Sequence, residues 1–349
     1  MKLALDAMGG DFAPQPNIDG AKLALQKLDT LKKLCMVGDE ATLRPLCDAA
    51  GFGKDPRLEI VHAPEVVGME ENGIVAVRKK KNSSMSIAVD LVKDGTCDAV
   101  LSAGNTGAAV AASTIKLRLL PGVERAGIVS PMPSARGFVL VSDTGANPDA
   151  KPSHLVGYAV MTALMSRYIY NIENPNVGVM SNGTEDCKGS EFSKETYKLL
   201  RRLADEGALP FNFIGNCEGH DLFDSELNVD VAVTDGFTGN ILLKSVEATA
   251  KFFSAQIKGA VRQSPMAIMG ALLMKSAFGS IKKRMSADTI GGCPLMGVGG
   301  VSIIAHGSAS ATAIYNAIRM ADGMCRNSVN ERIIEAMSKI NPVLKAMES

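Results

Sequence analysis

Short turns that combine glycine with a polar side chain recur along this sequence, each after an apolar run. They are Gly104-Asn105-Thr106-Gly107, Asp143-Thr144-Gly145-Ala146-Asn147, Ser181-Asn182-Gly183 and Gly236-Phe237-Thr238-Gly239-Asn240. Glycine lets backbone amides come close to an anion, and the amino end of a helix attracts negative charge. Together the turns indicate an anion-binding site, although each one alone is also typical of an ordinary βα turn whose asparagine caps its own loop.

Titratable side chains lie near these turns. Lys188 is in the loop after the third turn, and His306 follows a late apolar run. The basic run from Arg78 to Lys81 precedes Ser83 and Ser84, either of which is a suitable N-cap for the next helix. The basic run is explained equally well as a solvated surface.

Motifs of the common cofactor and nucleophile sites are absent from the sequence. There is no G-x-x-x-x-G-K-[ST] and no G-x-S-x-G, and the glycine-rich segment from Met296 to Gly300 departs from the dinucleotide fingerprint at Ser302. The four histidines include no H-E-x-x-H, and the seven cysteines include no C-x-x-C. We therefore expect no metal ion, no bound cofactor and no disulfide framework.

Composition limits the class of protein. The chain has 349 residues, of which 46% are hydrophobic and 21% charged, as in globular proteins. Its 37 basic and 37 acidic residues give a formal net charge of zero, whereas a general nucleic-acid binder carries a basic excess. No run approaches the roughly 20 apolar residues of a membrane span, and Met1 to Asp6 has a strand pattern instead of a signal peptide. We expect a globular protein of the reducing cytoplasm.

Apolar, strand-like runs alternate with helical stretches along most of the chain, a pattern that favours an α/β fold. The strand-like runs are 3–5, 58–61, 99–101, 139–141, 177–180, 211–214, 231–233 and 301–304. The alternation predicts a mostly parallel sheet with helices on both faces, in one domain over residues 1–349, divided or not into two lobes around a cleft. In a parallel sheet the four turns would all lie at the carboxyl ends of strands and form one binding floor.

Residues 246–285 differ from this pattern, because they are helical in composition and contain no strand signal. An apolar stripe at helical spacing is formed there by Met274, Phe278, Ile281 and Met285. Basic residues lie off that stripe, namely Lys275, Lys282, Lys283 and Arg284. A basic amphipathic helix suits an anionic membrane surface, and the same stripe suits packing against its counterpart in a dimer. The sequence leaves both contacts open.

A series of segments, in order along almost the whole chain, forms a further pattern. They are Asp6 to Asp11, Lys79 to Met85, Ser102 to Gly107, Gly145 to Asn147, Lys188-Gly189, Asn212 to Asn216, Asp235 to Asn240 and Ala305 to Ser308. In these segments the chain resembles the PlsX family, the phosphate acyltransferases of bacterial phospholipid synthesis. The resemblance implies a Rossmann-like core, related to the isocitrate and isopropylmalate dehydrogenases, in a homodimer.

The same resemblance implies the substrates and partners. They are the acyl thioester of acyl carrier protein and inorganic phosphate, and the acyl phosphate product would feed a membrane acyltransferase that acylates glycerol 3-phosphate. A product used at the membrane is consistent with peripheral membrane contact. The acidic carrier protein would suit either basic segment, Arg78 to Lys81 or Lys282 to Arg284.

The implied reaction explains why no catalytic triad is visible. Phosphate esters have a second pKa of about 6, and free phosphate is similar, so the nucleophile arrives as an anion without a strong base. A thiol with a pKa of about 8.5 leaves without much help from an acid. The enzyme then has to position two substrates and stabilise the tetrahedral oxyanion.

From the resemblance and this chemistry we predict two sets of site residues. The predicted catalytic residues are Lys188, Asn182, Asp235, Asn240 and His306. The predicted substrate-binding residues are Asp6, Gly9, Gly10, Ser83, Ser84, Asn105, Thr106, Gly107, Asn147 and Thr238. Lys188 would anchor the phosphate charge, and the asparagines would hold phosphate oxygens or the thioester oxygen. Asp235 and His306 would orient the site or handle a proton.

Two other functions compete with this interpretation. One is a dehydrogenase, because the implied fold also hosts oxidoreductases; the missing dinucleotide fingerprint argues against it. The other is a non-catalytic scaffold that gathers carrier protein at the membrane. A scaffold would leave the polar turns without a purpose.

Overall fold

The computed structural model describes residues 1–224, 226–285 and 291–348. The first part contains β1 (Lys2–Asp6), α1 (Gln15–Lys27), β2 (Lys33–Gly38), α2 (Glu40–Ala49), β3 (Leu58–His62), α3 (Gly73–Lys79), α4 (Ser84–Lys93), β4 (Ala99–Ser102) and α5 (Thr106–Leu117). The middle contains β5 (Gly127–Ser134), β6 (Gly137–Ser142), α6 (Pro152–Tyr170), β7 (Asn176–Met180), α7 (Glu191–Asp205), β8 (Asn212–Cys217) and β9 (Val231–Val233). The last part contains α8 (Gly236–Arg262), α9 (Pro265–Leu273), α10 (Lys275–Met285), β10 (Cys293–Met296), β11 (Val301–Ile304), α11 (Ala311–Arg326) and α12 (Val329–Glu348).

The strands form one sheet in the order β3-β2-β1-β4-β11-β10-β5-β6-β9-β7-β8. Pairing is parallel within β3-β2-β1-β4-β11 and within β6-β9-β7-β8, so the predicted mostly parallel α/β sheet is confirmed. Between these groups, β10 is antiparallel to both β11 and β5, and β5 is antiparallel to β6. The strand direction therefore reverses three times between β11 and β6.

Because of this reversal, the two parallel groups run in opposite directions and their carboxyl ends lie at opposite edges of the sheet. The expectation of a single binding floor is wrong for this reason. The turn after β4 lies at one edge, whereas the turns after β6, β7 and β9 lie at the other. We call the first the α5 edge and the second the α8 edge, after the helix that begins at each.

Helices cover both faces of the sheet, because successive strand residues are apolar on both sides. In β1, Leu3 and Leu5 pack into one hydrophobic core and Ala4 into another. The first core lies under α1, α6, α7, α11 and α12, and the second under α3, α4 and α5. The start of α8 packs on β5 and β6. Burial on both faces is what a parallel sheet requires.

Residues 246–285 are helical, as predicted, and we call this segment the helical arm. The helix begins before the predicted segment, since α8 starts at Gly236. Of the 27 residues of α8 only Gly236 and Gly239 are buried, and α9 buries none. None of the helices in the described ranges is both long and apolar enough to span a membrane.

Candidate active site

The residues predicted from the sequence divide between the two edges. At the α8 edge lie Asn147, Asn182, Lys188, Asp235, Thr238 and Asn240. At the α5 edge lie Asp6, Gly9, Gly10, Ser83, Ser84, Asn105, Thr106, Gly107 and His306. Four strands separate β4 from β9, which at about 4.8 Å per strand step puts the two strands roughly 24 Å apart along the sheet. Within one chain, His306 is therefore not brought to Lys188.

A cavity of about 370 Å³ opens at the α8 edge. Its walls come from the carboxyl ends of β7 and β9 and from the first turns of α7 and α8. The polar residues that line it are Ser181, Asn182, Ser190, Ser193, Thr234, Asp235 and Thr238. Two helix amino termini thus border one cavity, and the aligned N–H dipoles of such termini favour an anion.

Both of these helices begin with a capping side chain. The carboxylate of Asp235 accepts hydrogen bonds from the backbone N–H and from the hydroxyl of Thr238, each at 2.8 Å. Ser190 accepts one from the backbone N–H of Ser193 at 3.2 Å. Such residues are favoured there because the N–H groups of a first turn have no partner within the helix. Since both oxygens of Asp235 are engaged, its geometry favours the orienting role over proton transfer.

Lys188 lies in a loop that Asn182 and Gly189 close. The side-chain oxygen of Asn182 accepts a hydrogen bond from the Gly189 N–H at 2.8 Å. Gly189 has φ of +101°, and a Cβ there would lie 2.2 Å from the hydroxyl oxygen of Ser193, so this closure requires glycine. The side chain of Lys188 is exposed, and its ammonium group forms no ion pair within the described part of the chain. An unpaired cation is therefore available beside the cavity.

Ser181 contributes a polar group that sequence reasoning left without a role. Its hydroxyl is buried in the cavity wall and has no hydrogen-bond partner among the residues that the structure describes. Buried polar groups are nearly always paired, so this hydroxyl is an exception in the wall of the cavity. The available signal in the sequence was its position directly after the strand β7.

Asp143 organises the turn after β6 and was also not among the predicted residues. Its carboxylate is fully buried and accepts hydrogen bonds at 2.6–3.1 Å from the backbone N–H groups of Ile128, Gly145, Ala146 and Asn147. Burial raises the pKa of this carboxyl, and the N–H groups oppose that shift. An aspartate before a Gly-x-Asn turn is the signal that would have found it, because such a side chain bonds the backbone that follows.

Asn147 connects that turn to α8. Its backbone carbonyl accepts a hydrogen bond from the Gly236 N–H at 2.9 Å, and its side-chain amide donates to the hydroxyl of Tyr158 at 2.9 Å and to the carbonyl of Ala126. The side chain of Asn147 is thus used to hold the turn. Asn240, in the first turns of α8, is exposed and makes no hydrogen bond among the described residues, so its amide is available to a ligand.

At the α5 edge, Asp6 ends β1 and is only 1% exposed. Its carboxylate accepts a hydrogen bond at 2.7 Å from the hydroxyl of Ser102, which accepts one at 3.0 Å from the N–H of Gly104. A Cβ at Gly9 would lie 2.6 Å from the Asp6 carboxylate, so the backbone passes directly over it. Burial raises the pKa of Asp6, and hydrogen bonds from the side chains of Ser84 and Ser102 oppose that shift. Asp6 is placed to support this turn from beneath.

Asn105 ties the same turn to the loop before α3. Its oxygen caps α5, and its amide nitrogen lies 2.8–3.2 Å from the carbonyl oxygens of Gly68, Met69 and Glu71. The side chain is thus fully engaged, which is the capping alternative that the sequence left open. A contact of Asn105 with substrate stays a prediction and would have to use its backbone.

The other predicted residues of this edge surround that turn. Ser83 is the N-cap of α4, one of the two positions proposed for it. Thr106 and Gly107 are exposed in the first turn of α5. Nδ1 of His306 lies 2.8 Å from the hydroxyl oxygen of Ser308. The α5 edge is therefore a second polar surface, with two helix amino termini of its own.

Comparison with known sequences finds relatives along the whole chain. The model of a family described as fatty acid synthesis protein matches residues 1–332. The chain is 57% identical over 348 residues to a phosphate acyltransferase of Akkermansia muciniphila, covering 100% of this chain and 99% of that one. It is 41% identical over 350 residues to a phosphate acyltransferase of Elusimicrobium minutum, with 100% and 99% covered.

Solved structures with a similar fold are more distant in sequence. A phosphotransacetylase from Streptococcus pyogenes has a TM-score of 0.61 and 18% identity, over 93% of this chain and 94% of that one. EutD phosphotransacetylase from Staphylococcus aureus has a TM-score of 0.59 and 17% identity over the same shares, 93% and 94%. A protein described as a 4-hydroxythreonine-4-phosphate dehydrogenase from Salmonella typhimurium has 0.51 and 15%, over 93% and 99%. At these identities the likeness establishes the fold alone.

Proposed function

This chain belongs to the fatty acid synthesis protein family, whose curated relatives are phosphate acyltransferases, and we propose that it transfers a fatty acyl group from acyl carrier protein to inorganic phosphate. It is a transferase that acts in lipid synthesis and moves an acyl group to phosphate. The carrier protein as acyl donor, and the use of the acyl phosphate for phosphatidic acid, follow from the sequence resemblance.

The observation that carries the proposal is the cavity at the α8 edge. It combines two helix amino termini with the nearby cation of Lys188, which forms no ion pair among the described residues. Phosphate is a small tetrahedral anion, which binds best where several N–H and O–H donors and a cation converge. A non-catalytic scaffold would not need this combination.

In the proposed reaction a phosphate oxygen attacks the carbonyl carbon of the thioester. The carbon–sulfur bond then breaks, the acyl group stays on phosphate, and the carrier thiol leaves as a thiolate. Lys188 neutralises part of the phosphate charge and holds the nucleophile in place. The amide of Asn240, exposed at the start of α8, is the side-chain donor for the developing oxyanion.

A homodimer would unite the two edges that one chain holds apart. The α5 edge of one copy would lie opposite the α8 edge of its partner, so that each site draws on both copies. In support, α8 leaves the cavity with apolar side chains uncovered, among them Phe237, 62% exposed, and Ile241, 51% exposed. A second copy packed along α8 would bury them.

The far end of the helical arm would contact an anionic membrane. Helix α9 contains no charged residue and leaves large side chains exposed, including Met266, Met269, Leu272 and Leu273. An uncharged apolar helix next to basic residues suits the interface of an anionic bilayer. The side chains of Lys282, Lys283 and Arg284, which were predicted to contribute that charge, lie outside the described residues. The enzyme would then be cytoplasmic and peripherally attached, close to the membrane enzyme that uses its product.

Phosphate dependence tests the proposed reaction. The protein is incubated with the acyl thioester of carrier protein, with and without inorganic phosphate, and free carrier thiol and hydroxylamine-trappable acyl product are measured. Both should appear together and only with phosphate. Thiol release at the same rate in phosphate-free buffer would rule the reaction out.

A further inference from the structure

The loop before α3, together with α3 itself, forms an exposed surface that the reaction does not use. Its apolar side chains are exposed by 40–54%, namely Val66, Met69, Ile74 and Val75. Its exposed cations are Arg78, Lys79 and Lys81. We call these seven residues the α3 patch.

The cations of the α3 patch lack acidic partners among the described residues. Lys80, which lies among them, pairs with Glu71 at 2.6 Å and also donates to a backbone carbonyl. Arg78, Lys79 and Lys81 form no ion pair with any residue that the structure describes. Positive charge is therefore concentrated at the carboxyl end of α3, beside uncovered apolar side chains.

The α3 patch adjoins the α5 edge. The amide of Asn105 bonds the carbonyls of the loop before α3, and a Cβ at Gly73 would lie 2.3 Å from the backbone nitrogen of Ala108 in α5. Met69 also approaches the turn after β11, because a Cβ at Gly307 would lie 2.8 Å from its Cε. Helix α3 and its loop are thus packed onto the rim of the polar surface at this edge.

We propose that the α3 patch is the docking surface for the acyl carrier protein. An acidic protein surface would lie over Arg78, Lys79 and Lys81, and the apolar residues would provide the uncharged centre that a protein interface requires. The acyl thioester would then enter across the α5 edge. This inference depends on the proposed function, and it chooses between the two basic segments that the sequence left open.

A membrane is the less suitable occupant of the α3 patch. In the sequence, Glu70 and Glu71 lie between the apolar residues of the α3 patch. Helix α9, in contrast, contains no charged residue. A surface that mixes charges of both signs with separated apolar residues fits a protein partner better than a lipid interface.

Charge reversal tests the assignment with two donors that carry the same acyl group. The variant R78E/K79E/K81E should raise KM for the carrier-protein thioester by about tenfold or more with little change in kcat, since rim charges mainly govern encounter. Its kcat/KM with a thioester of pantetheine, which has no protein surface to dock, should equal that of the unaltered enzyme. The matched control K54E/K198E/K345E changes the same number of exposed basic residues elsewhere and should behave like the unaltered enzyme with both donors.

Three results would overturn the docking assignment. They are an unchanged KM for the carrier thioester, equal losses with both donors, or the same loss in the control variant. Reduced flotation with anionic vesicles, at an unchanged carrier KM, would assign the α3 patch to the membrane instead. Failure of the proposed function is distinguishable, because the unaltered enzyme would then release no thiol in response to phosphate from either donor.

Discussion

Lys188 is an exposed residue whose loop is held by a backbone-to-side-chain bond between Gly189 and Asn182. Because the loop is closed in this way, the lysine stays beside the cavity, and no acid among the described residues pairs with it. This arrangement is suited to a ligand that brings its own negative charge. It also explains why a basic residue can be tolerated at the site in the absence of substrate.

Replacement of this lysine should affect phosphate before it affects the thioester. In Lys188→Ala we expect KM for phosphate to rise about ten- to a hundredfold, the range for loss of one charge-assisted hydrogen bond, with a smaller change in KM for the thioester. Steady-state kinetics with each substrate varied in turn measures both. Lys198→Ala, an exposed lysine in α7, is the control. An unchanged KM for phosphate in Lys188→Ala would show that Lys188 does not bind phosphate.

Asp143 acts on the same site through the backbone. Asparagine has one acceptor oxygen and an NH₂ group that cannot accept, so Asp143→Asn would leave buried N–H groups of the turn unpaired. We expect the free energy of unfolding to fall by about 1–3 kcal/mol. KM for phosphate should also rise, because the turn holds the Asn147 carbonyl that receives the Gly236 N–H. Denaturant unfolding and steady-state kinetics measure the two effects.

A control separates the two consequences of that change. Asp230 is also buried and accepts a hydrogen bond from a backbone N–H, that of Asn176, but it precedes β9 and lies away from the α8 edge. Asp230→Asn should lower stability while leaving KM for phosphate unchanged. If both variants raised KM alike, the effect of Asp143 would be a general consequence of lost stability.

The beginning of helix α8 and the rest of the helix have different surroundings. Its first turn is packed on the sheet and capped by Asp235, whereas the rest of it and the two following helices are exposed. An isolated helix of this kind is only marginally stable in water, because most helix stability in proteins comes from packing. The helical arm therefore requires a covering surface, and its two ends have different chemistry.

The apolar end of the arm can be tested separately from catalysis. Replacing Met269, Leu272 and Leu273 by serine should weaken binding to anionic vesicles by more than tenfold in a flotation assay, because each buried apolar side chain contributes about 1.5–3 kcal/mol of transfer free energy. Turnover of a soluble thioester should be unchanged. Ile115→Ser, at an exposed apolar position in α5, is the control for vesicle binding. Unaltered flotation of the serine variant would exclude α9 as the contact.

The opposite directions of the two parallel groups have a consequence for the whole assembly. If each active site combines the α5 edge of one copy with the α8 edge of the other, two defective chains can complement each other. Lys188→Ala and Thr106→Arg would each be weakly active alone. After unfolding and refolding as an equal mixture, about a quarter of the sites would be intact, since half of the dimers would be mixed and each would hold one unaltered site.

One outcome of the complementation measurement would contradict an active site shared between two copies. Activity of the mixture equal to the mean of the two separate variants would mean that each site lies within one chain. Size-exclusion chromatography of the mixture provides the necessary check that dimers re-form. A monomeric protein with full activity would also contradict the proposed arrangement.

Much of the local structure could be predicted from the sequence. The alternation of apolar runs with helical stretches identified strands and helices, and the two serines before α4 were recognised as candidate caps, of which Ser83 is the cap. Glycine positions identified the turns, because a positive φ or a close approach excludes other residues. These features depend on interactions between residues close in the chain, so they can be inferred without knowledge of the fold.

The relative direction of the strands was decided by tertiary structure. A short apolar run has the same pattern whether it pairs in parallel or antiparallel, and β10 pairs with β5 across a long separation in sequence. β10 has four residues, including Pro294, and it and the β5–β6 pairing provide the reversal that moves His306 away from Lys188. The long-range hydrogen bonds of the Asn105, Asn147 and Asp143 side chains were likewise visible only in the tertiary structure. Their partners come from loops and strands that the sheet brings together.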